Sequence, residues 1–202
     1  MNQEPKLQTL NISKKYNYFI WMPSKCGSTH ASNIFKKFED NFNFFHNHII
    51  DFFDGHWSYD LISLQRNPYS RYTSMFNSDY FNAYNKPLSL NEIRTEFNSY
   101  VNVMINHTEI SKEMFNYHER NPDYFIRLEH LFEDYSKIPF VKETDFYKSG
   151  QLEFECSIPK NKTKPSGFSW KELYTPQTAD LVYYNTSLIF DLCDYDKDSW
   201  KS

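Results

Sequence analysis

A chain of 202 residues has room for one α/β domain with a substantial core, and its 40% apolar and 24% charged residues are ordinary for a globular protein. A net charge of −4 argues against a general nucleic-acid binder, which presents a basic face, but leaves room for a phosphate-bearing ligand held by a few local cations. No stretch approaches the ~20 apolar residues that span a bilayer, and Cys26, Cys156 and Cys193 show neither a disulfide framework nor metal-ligand spacing.

Residues 1–15 are polar and hold no signal-peptide run, so they are read as a flexible N-terminal segment and the chain as soluble and intracellular. Aromatic residues reach 19%, while Ala31, Ala83 and Ala179 are the only alanines, which predicts a core built from Phe and Tyr. The first ordered element expected is a strand over Tyr18 to Met22, stopped by Pro23. A loop from Ser24 to Ser28 follows, and a helix opens near Thr29 with Ile34, Phe35 and Phe38 facing the sheet. Phe42 to Trp57 is rich in aromatics and histidines and carries no clear period.

Leu61 to Gln65 predicts a second buried strand. Asn67 is a good N-cap and Pro68 a good first helical residue, for a helix running to about Ala83. Ser89 caps a further helix from Leu90 to about Met104, with Ile93, Phe97, Tyr100 and Met104 on one stripe. Tyr124 to Arg127 predicts a third strand, followed by a helical turn around Leu131 and Tyr135. Ser157 to Gly167, with its lysines, prolines and terminal glycine, reads as a loop. A last helix starts near Thr175–Pro176 and carries Leu181, Val182 and Leu188. No repeat and no linker interrupts the chain, so residues 1–202 are expected to form a single domain. Strands alternating with helices predict a parallel sheet with helices on both faces, in which ligands bind at the carboxyl ends of the strands.

Two stretches leave such strand ends. In Pro23-Ser24-Lys25-Cys26-Gly27-Ser28-Thr29-His30 a strand enters, a helix leaves, and a lysine, a glycine and two hydroxyls lie between. Gly27 lets the backbone approach a ligand, the amides of a helix start favour an anion, and Lys25 adds a full positive charge. In Arg66-Asn67-Pro68-Tyr69-Ser70-Arg71-Tyr72-Thr73-Ser74, Arg66 ends the strand and Ser74 follows about two helical turns after Asn67, both suited to a second phosphate. Each stretch in isolation also fits a plain capped helix.

Together they resemble the two signatures by which sulfotransferases bind 3′-phosphoadenosine 5′-phosphosulfate (PAPS). One is a Pro-Lys-x-Gly-(Ser/Thr)-(Ser/Thr) loop for the 5′-phosphosulfate, from which this chain departs by placing Ser24 between Pro23 and Lys25. The other is Arg-(Asn/Asp)-Pro…Ser, with Arg and Ser eight positions apart, as Arg66 and Ser74 are. Phe125 to Leu131 is similar to the family's Arg-x-Glu-x-Leu segment, and Trp170 to Tyr195 to the C-terminal helix of its carbohydrate branch. The resemblance runs from Tyr18 to Asp196, with no recognisable motif between Tyr84 and Asp123.

The resemblance implies a three-layer sandwich, a central parallel sheet flanked by helices, of the P-loop nucleotide-binding-like sulfotransferase fold. It implies a PAPS-binding set of Lys25, Cys26, Gly27, Ser28, Thr29, His30, Arg66 and Ser74, with Lys162 and Thr163 as further contacts on the 3′-phosphate side. Sulfuryl transfer needs a base near neutral pKa. His46-Asn47-His48 is similar to the His-x-His of uronyl 2-O-sulfotransferases, so His46 is expected as the base and His48 as its assistant, with Lys25 the third catalytic residue. His56, Glu39 and Asp40 are alternative bases. The acceptor implied is a hydroxyl, first of all on a glycan, the product is adenosine 3′,5′-bisphosphate (PAP), and no metal is expected. A nucleoside-triphosphate-dependent phosphotransferase and a non-catalytic nucleotide-binding protein are the competing classes. The former needs Mg²⁺ and a phosphate loop in which Lys follows the last Gly and precedes Ser or Thr, a pattern that this sequence lacks.

Overall fold

Runs of aromatic and β-branched residues become interior parallel strands when both of their faces find apolar neighbours. The computed structural model describes residues 8–39, 58–80, 89–106, 121–158 and 168–201. Its strands are β1 (Gln8–Ser13), β2 (Tyr18–Pro23), β3 (Asp60–Gln65) and β4 (Tyr124–Arg127). The helices are α1 (Ser28–Phe38), α2 (Pro68–Tyr80), α3 (Leu90–Asn106), α4 (Leu131–Tyr135), α5 (Pro139–Glu143), α6 (Asp145–Lys148), α7 (Gln151–Ser157) and α8 (Pro176–Cys193). Two 3-10 turns, Leu128–His130 and Trp170–Leu173, complete the described elements. The fold is α/β: a four-stranded sheet in the order β1-β2-β3-β4, with β2, β3 and β4 parallel and β1 antiparallel to β2.

The three expected strands form within a residue of their expected bounds. β1 is a correction, because it takes up residues read from the sequence as part of a flexible segment. An edge strand needs only one hydrogen-bonding neighbour, and β1 finds it in β2, in a register running from Gln8 opposite Pro23 to Ser13 opposite Tyr18. Asn17, at φ 55°, supplies the left-handed residue that closes the hairpin.

Main-chain proximity divides the chain into two compact units, Met1–Arg66 with Tyr117–Lys160, and Asn67–Asn116 with Asn161–Ser202. Each unit takes two separated stretches of sequence, so a linker search along the chain does not reveal them.

The first unit contains the sheet. All of β2 is buried, and its side chains alternate between two apolar clusters, as the period of a strand requires. Tyr18, Ile20 and Met22 pack with Ile34, Phe35 and Phe38 of α1, with Ile62 and Leu64 of β3, and with Ile126 and Tyr135. Phe19 and Trp21 join Leu61 in a second cluster, flanked by Ile12 and Tyr59. The first cluster is held largely by ring contacts, with centroids 5.5 Å apart for Tyr18 and Phe35 and 4.9 Å for Tyr18 and Phe140. Burial pushes the Tyr18 hydroxyl well above the usual tyrosine range, and the Glu39 carboxylate adds to the shift.

The second unit is helical in its described residues. Asn67 caps α2 as expected, its Oδ1 accepting the Tyr69 N–H at 3.0 Å. Ser89 and Glu92 form a capping box at α3, and Thr175 caps α8 with Pro176 in the first turn. Tyr69, Phe76, Phe97, Tyr174 and Phe190 form an aromatic core, with Tyr69 and Tyr174 centroids 5.1 Å apart. Leu188, expected on the apolar face of α8, is 49% exposed. The buried stripe runs through Thr178, Val182, Thr186, Ile189, Phe190 and Cys193 at regular helical spacing, undisturbed by the non-helical backbone of Thr186 (φ −131°, ψ 17°), and Leu188 lies off it. Among the described residues no helix is long and apolar enough to cross a membrane.

Candidate functional site

The register of the sheet brings three chain segments to one edge of the first unit. Trp21 lies opposite Ser63, and Gln65 opposite Arg127, so the loop after β2, Arg66 after β3 and Leu128 after β4 all leave neighbouring carboxyl ends. This is the edge at which open α/β sheets bind ligands.

The loop after β2 is a tight turn. The Cys26 N–H donates to the Pro23 carbonyl at 3.3 Å, and the Gly27 carbonyl accepts the first bond of α1 from Ala31 at 3.0 Å. Lys25 and Gly27 both have positive φ, 63° and 85°. Glycine tolerates such a backbone, while lysine adopts it at a cost. Space is a second constraint at Gly27, since a Cβ there would stand 2.6 Å from Cδ1 of Leu128. The loop is therefore walled by the first side chain after β4.

The start of α1 suits an anion by what it lacks as much as by what it holds. No side chain caps it, and no acidic residue lies in its first turn. The amides of Ser28, Thr29 and His30 thus open the helix beside Lys25, with the helix dipole favouring negative charge there. At the other end, Lys36 and Lys37 in the last turn complement the dipole. Thr29 is exposed, and Lys25, Gly27 and Ser28 are half-buried. Cys26 and His30 are buried, and Cys26 packs in the apolar cluster beneath the loop. The Ser32 hydroxyl donates back to the Ser28 carbonyl, tightening the first turn.

Arg66 stands at the end of β3, as expected, half-buried, and its NH1 donates to the Lys25 carbonyl at 3.3 Å. The fold so joins the two sequence stretches that were read separately, from Lys25 to Ser28 on one side and Arg66 on the other. Ser74 lies in the second unit, buried on α2 with Ser70 and Arg71. His46, His48, Lys162 and Thr163 lie outside the described residues, as do the alternative bases His56 and Asp40. Glu39 ends α1, its N–H bonded to the Phe35 carbonyl.

One residue at this edge was not singled out from the sequence. Asp134 of α4 is 2% exposed and takes both Nε and NH2 of Arg127, each at 2.8 Å, the Arg127 N–H at 2.9 Å and Lys137 Nζ at 2.8 Å. Burial works against its charge. The donors from Arg127 and Lys137 outweigh burial and hold the carboxyl below the usual aspartate range. The bidentate pair anchors the end of β4, from which Leu128 reaches Gly27. Only the spacing of an acid seven positions after Arg127 could have suggested it, and such spacings are common on charged helices.

Beside this anchor, Leu128, Leu131, Phe132, Glu133, Glu153, Cys156 and neighbours line a cavity of about 300 Å³. Among the described residues no three His, Cys, Asp or Glu side chains gather as a metal site would require. Comparison with protein-family models, with curated proteins and with solved structures finds no match to this chain.

Proposed function

We propose that the chain is a PAPS-dependent sulfotransferase, moving a sulfuryl group to a hydroxyl acceptor, in the first place a carbohydrate. One observation carries this reading: the Lys25–Thr29 loop and Arg66, the cores of the two signatures, stand at neighbouring strand ends in direct hydrogen-bond contact. An uncapped helix start without acids, a lysine and an arginine make up a cradle for a doubly phosphorylated nucleotide. The fold proposed for the whole chain is the three-layer, P-loop nucleotide-binding-like sandwich of that family, to which the parallel β2-β3-β4 sheet and its α1 connection conform.

The mechanism proposed is an in-line displacement at sulfur. The acceptor oxygen forms the new bond to sulfur, its proton passes to His46, with His48 assisting, and the sulfur–oxygen bond to the 5′-phosphate breaks. Lys25 and the amides from Gly27 to Thr29 meet the charge that builds on the departing phosphate. Arg66, with Ser74, holds the 3′-phosphate that distinguishes PAPS from ATP, and Lys162 and Thr163 add contacts on that side. No step requires a metal.

Thermal shift with PAP, beside ATP and Mg²⁺, tests the reading. A ligand at 100 times its dissociation constant stabilises a fold by ~2.7 kcal/mol, an easily measured shift. Stabilisation by PAP and not by ATP is the expected result. Stabilisation by ATP with Mg²⁺ alone would move the chain to the phosphotransferases. PAP binding without sulfuryl transfer to any hydroxyl acceptor would make it a nucleotide-binding protein.

A further inference from the structure

Lys25 carries the most strained backbone at this edge that is not glycine, with φ at 63°, and its carbonyl is the one Arg66 holds. A side-chain-bearing residue stays in the left-handed region only where its surroundings over-determine it. Below the loop, Cys26 is buried in the core and its N–H closes the turn on Pro23. Leu128 walls the loop at Gly27. The bond from Arg66 acts on the lysine peptide itself.

We infer that Arg66 is a positioning residue for the Lys25–Ser28 loop as well as an anion ligand, so that the 5′- and 3′-phosphate subsites are coupled through the Arg66–Lys25 bond. This rests on the sulfotransferase reading for the ligands but not for the bond. A guanidinium presents five N–H donors in a fixed fork and can hold a carbonyl and an anion at the same time. With the Lys25 peptide fixed, the amides that follow it point where the helix start needs them. An anion drawn onto Arg66 from the other side stiffens that arrangement, and a loop already ordered by one phosphate presents Arg66 to the other. Coupling of this kind is reciprocal.

A residue that served the 3′-phosphate alone would not affect a ligand lacking it. The experiment is therefore calorimetric binding of PAP and of adenosine 5′-phosphosulfate, which has no 3′-phosphate, to wild type, Arg66→Ala and Arg66→Lys. Hydrogen exchange of the Cys26, Gly27 and Ser28 amides is followed in the ligand-free proteins, and melting curves check that each variant folds. Arg66→Ala is expected to weaken adenosine 5′-phosphosulfate about tenfold, besides its larger loss for PAP. The loop amides should exchange about tenfold faster in both variants, because lysine keeps the charge but not the fork. Unchanged affinity for adenosine 5′-phosphosulfate together with unchanged loop exchange in folded Arg66→Ala would overturn the inference. If wild type binds neither nucleotide, the sulfotransferase reading fails, and the exchange measurement still decides whether Arg66 positions the loop.

Discussion

Replacing Gly27 by Ala would test the loop geometry directly, because two separate costs arise there and one of them can be switched off. The first is backbone: at φ 85° an alanine sits in the left-handed region, which costs roughly 1–2 kcal/mol. The second is contact, since the new Cβ would lie 2.6 Å from Cδ1 of Leu128, far inside van der Waals range. That methyl is the tip of a flexible, half-buried side chain, so it can turn aside off its rotamer for about 0.5–1.5 kcal/mol. The expected loss is the sum, about 1.5–3.5 kcal/mol, read by urea denaturation at constant m-value. In a Leu128→Ala background the contact cost vanishes, and Gly27→Ala should cost only the backbone share, about 1–2 kcal/mol. A loss below about 0.5 kcal/mol in the wild-type background would refute the left-handed turn. Equal losses in the two backgrounds would refute the wall that Leu128 builds over the loop.

Lys25→Ala is expected to lower turnover of PAPS by orders of magnitude, as loss of one charge-stabilising donor raises a barrier by ~2.7–4 kcal/mol; wild-type turnover would remove Lys25 from the mechanism. His46→Ala should abolish turnover while leaving the PAP dissociation constant unchanged, and a fully active variant would shift the role of base to another group. Asp134→Ala leaves the Arg127 guanidinium, 14% exposed, without its buried carboxylate and should destabilise the fold by about 3 kcal/mol in urea titration, the low end for a broken buried pair. The pH dependence of that term has a definite sign. The folded carboxyl titrates below the ordinary value of 3.8, so the unfolded chain takes up the proton first as the pH falls. The stabilisation by Asp134 is thus complete above about pH 5 and is lost as the pH drops through its folded-state pKa. Asp134→Asn should flatten that acid limb, and an unchanged limb would show that other carboxylates carry it.

Much of the fold was legible in the sequence because the relevant physics is local. The runs Tyr18–Met22 and Tyr124–Arg127 are rich in aromatic and β-branched residues, and Leu61–Gln65 is a short apolar run closed by Asn67 and Pro68, so each reads as a strand. Asn67 before Pro68, Ser89 three residues before Glu92, and Thr175 before Pro176 mark helix starts through side-chain bonds to nearby amides, so their spacing along the chain is their mechanism. The candidate loop was legible for the same reason, with Lys25, Gly27, Ser28 and Thr29 consecutive between a strand and a helix.

What tertiary structure decided depends on partners remote in sequence. β1 is a strand because β2 offers it a main-chain edge, a property that its own composition does not express. Leu188 faces outward because the face of α8 that packs runs through Val182, Thr186, Ile189 and Phe190, and Leu188 lies off that stripe. Lys25 takes a left-handed backbone, Leu128 walls Gly27, and Arg66 reaches the Lys25 carbonyl across 41 positions only because parallel strands set their three loops side by side. Composition and short-range spacing thus determined the elements and the residue types of the candidate cradle. Sheet register, which pairs residues by main-chain hydrogen bonds irrespective of their distance along the chain, decided which of those residues meet.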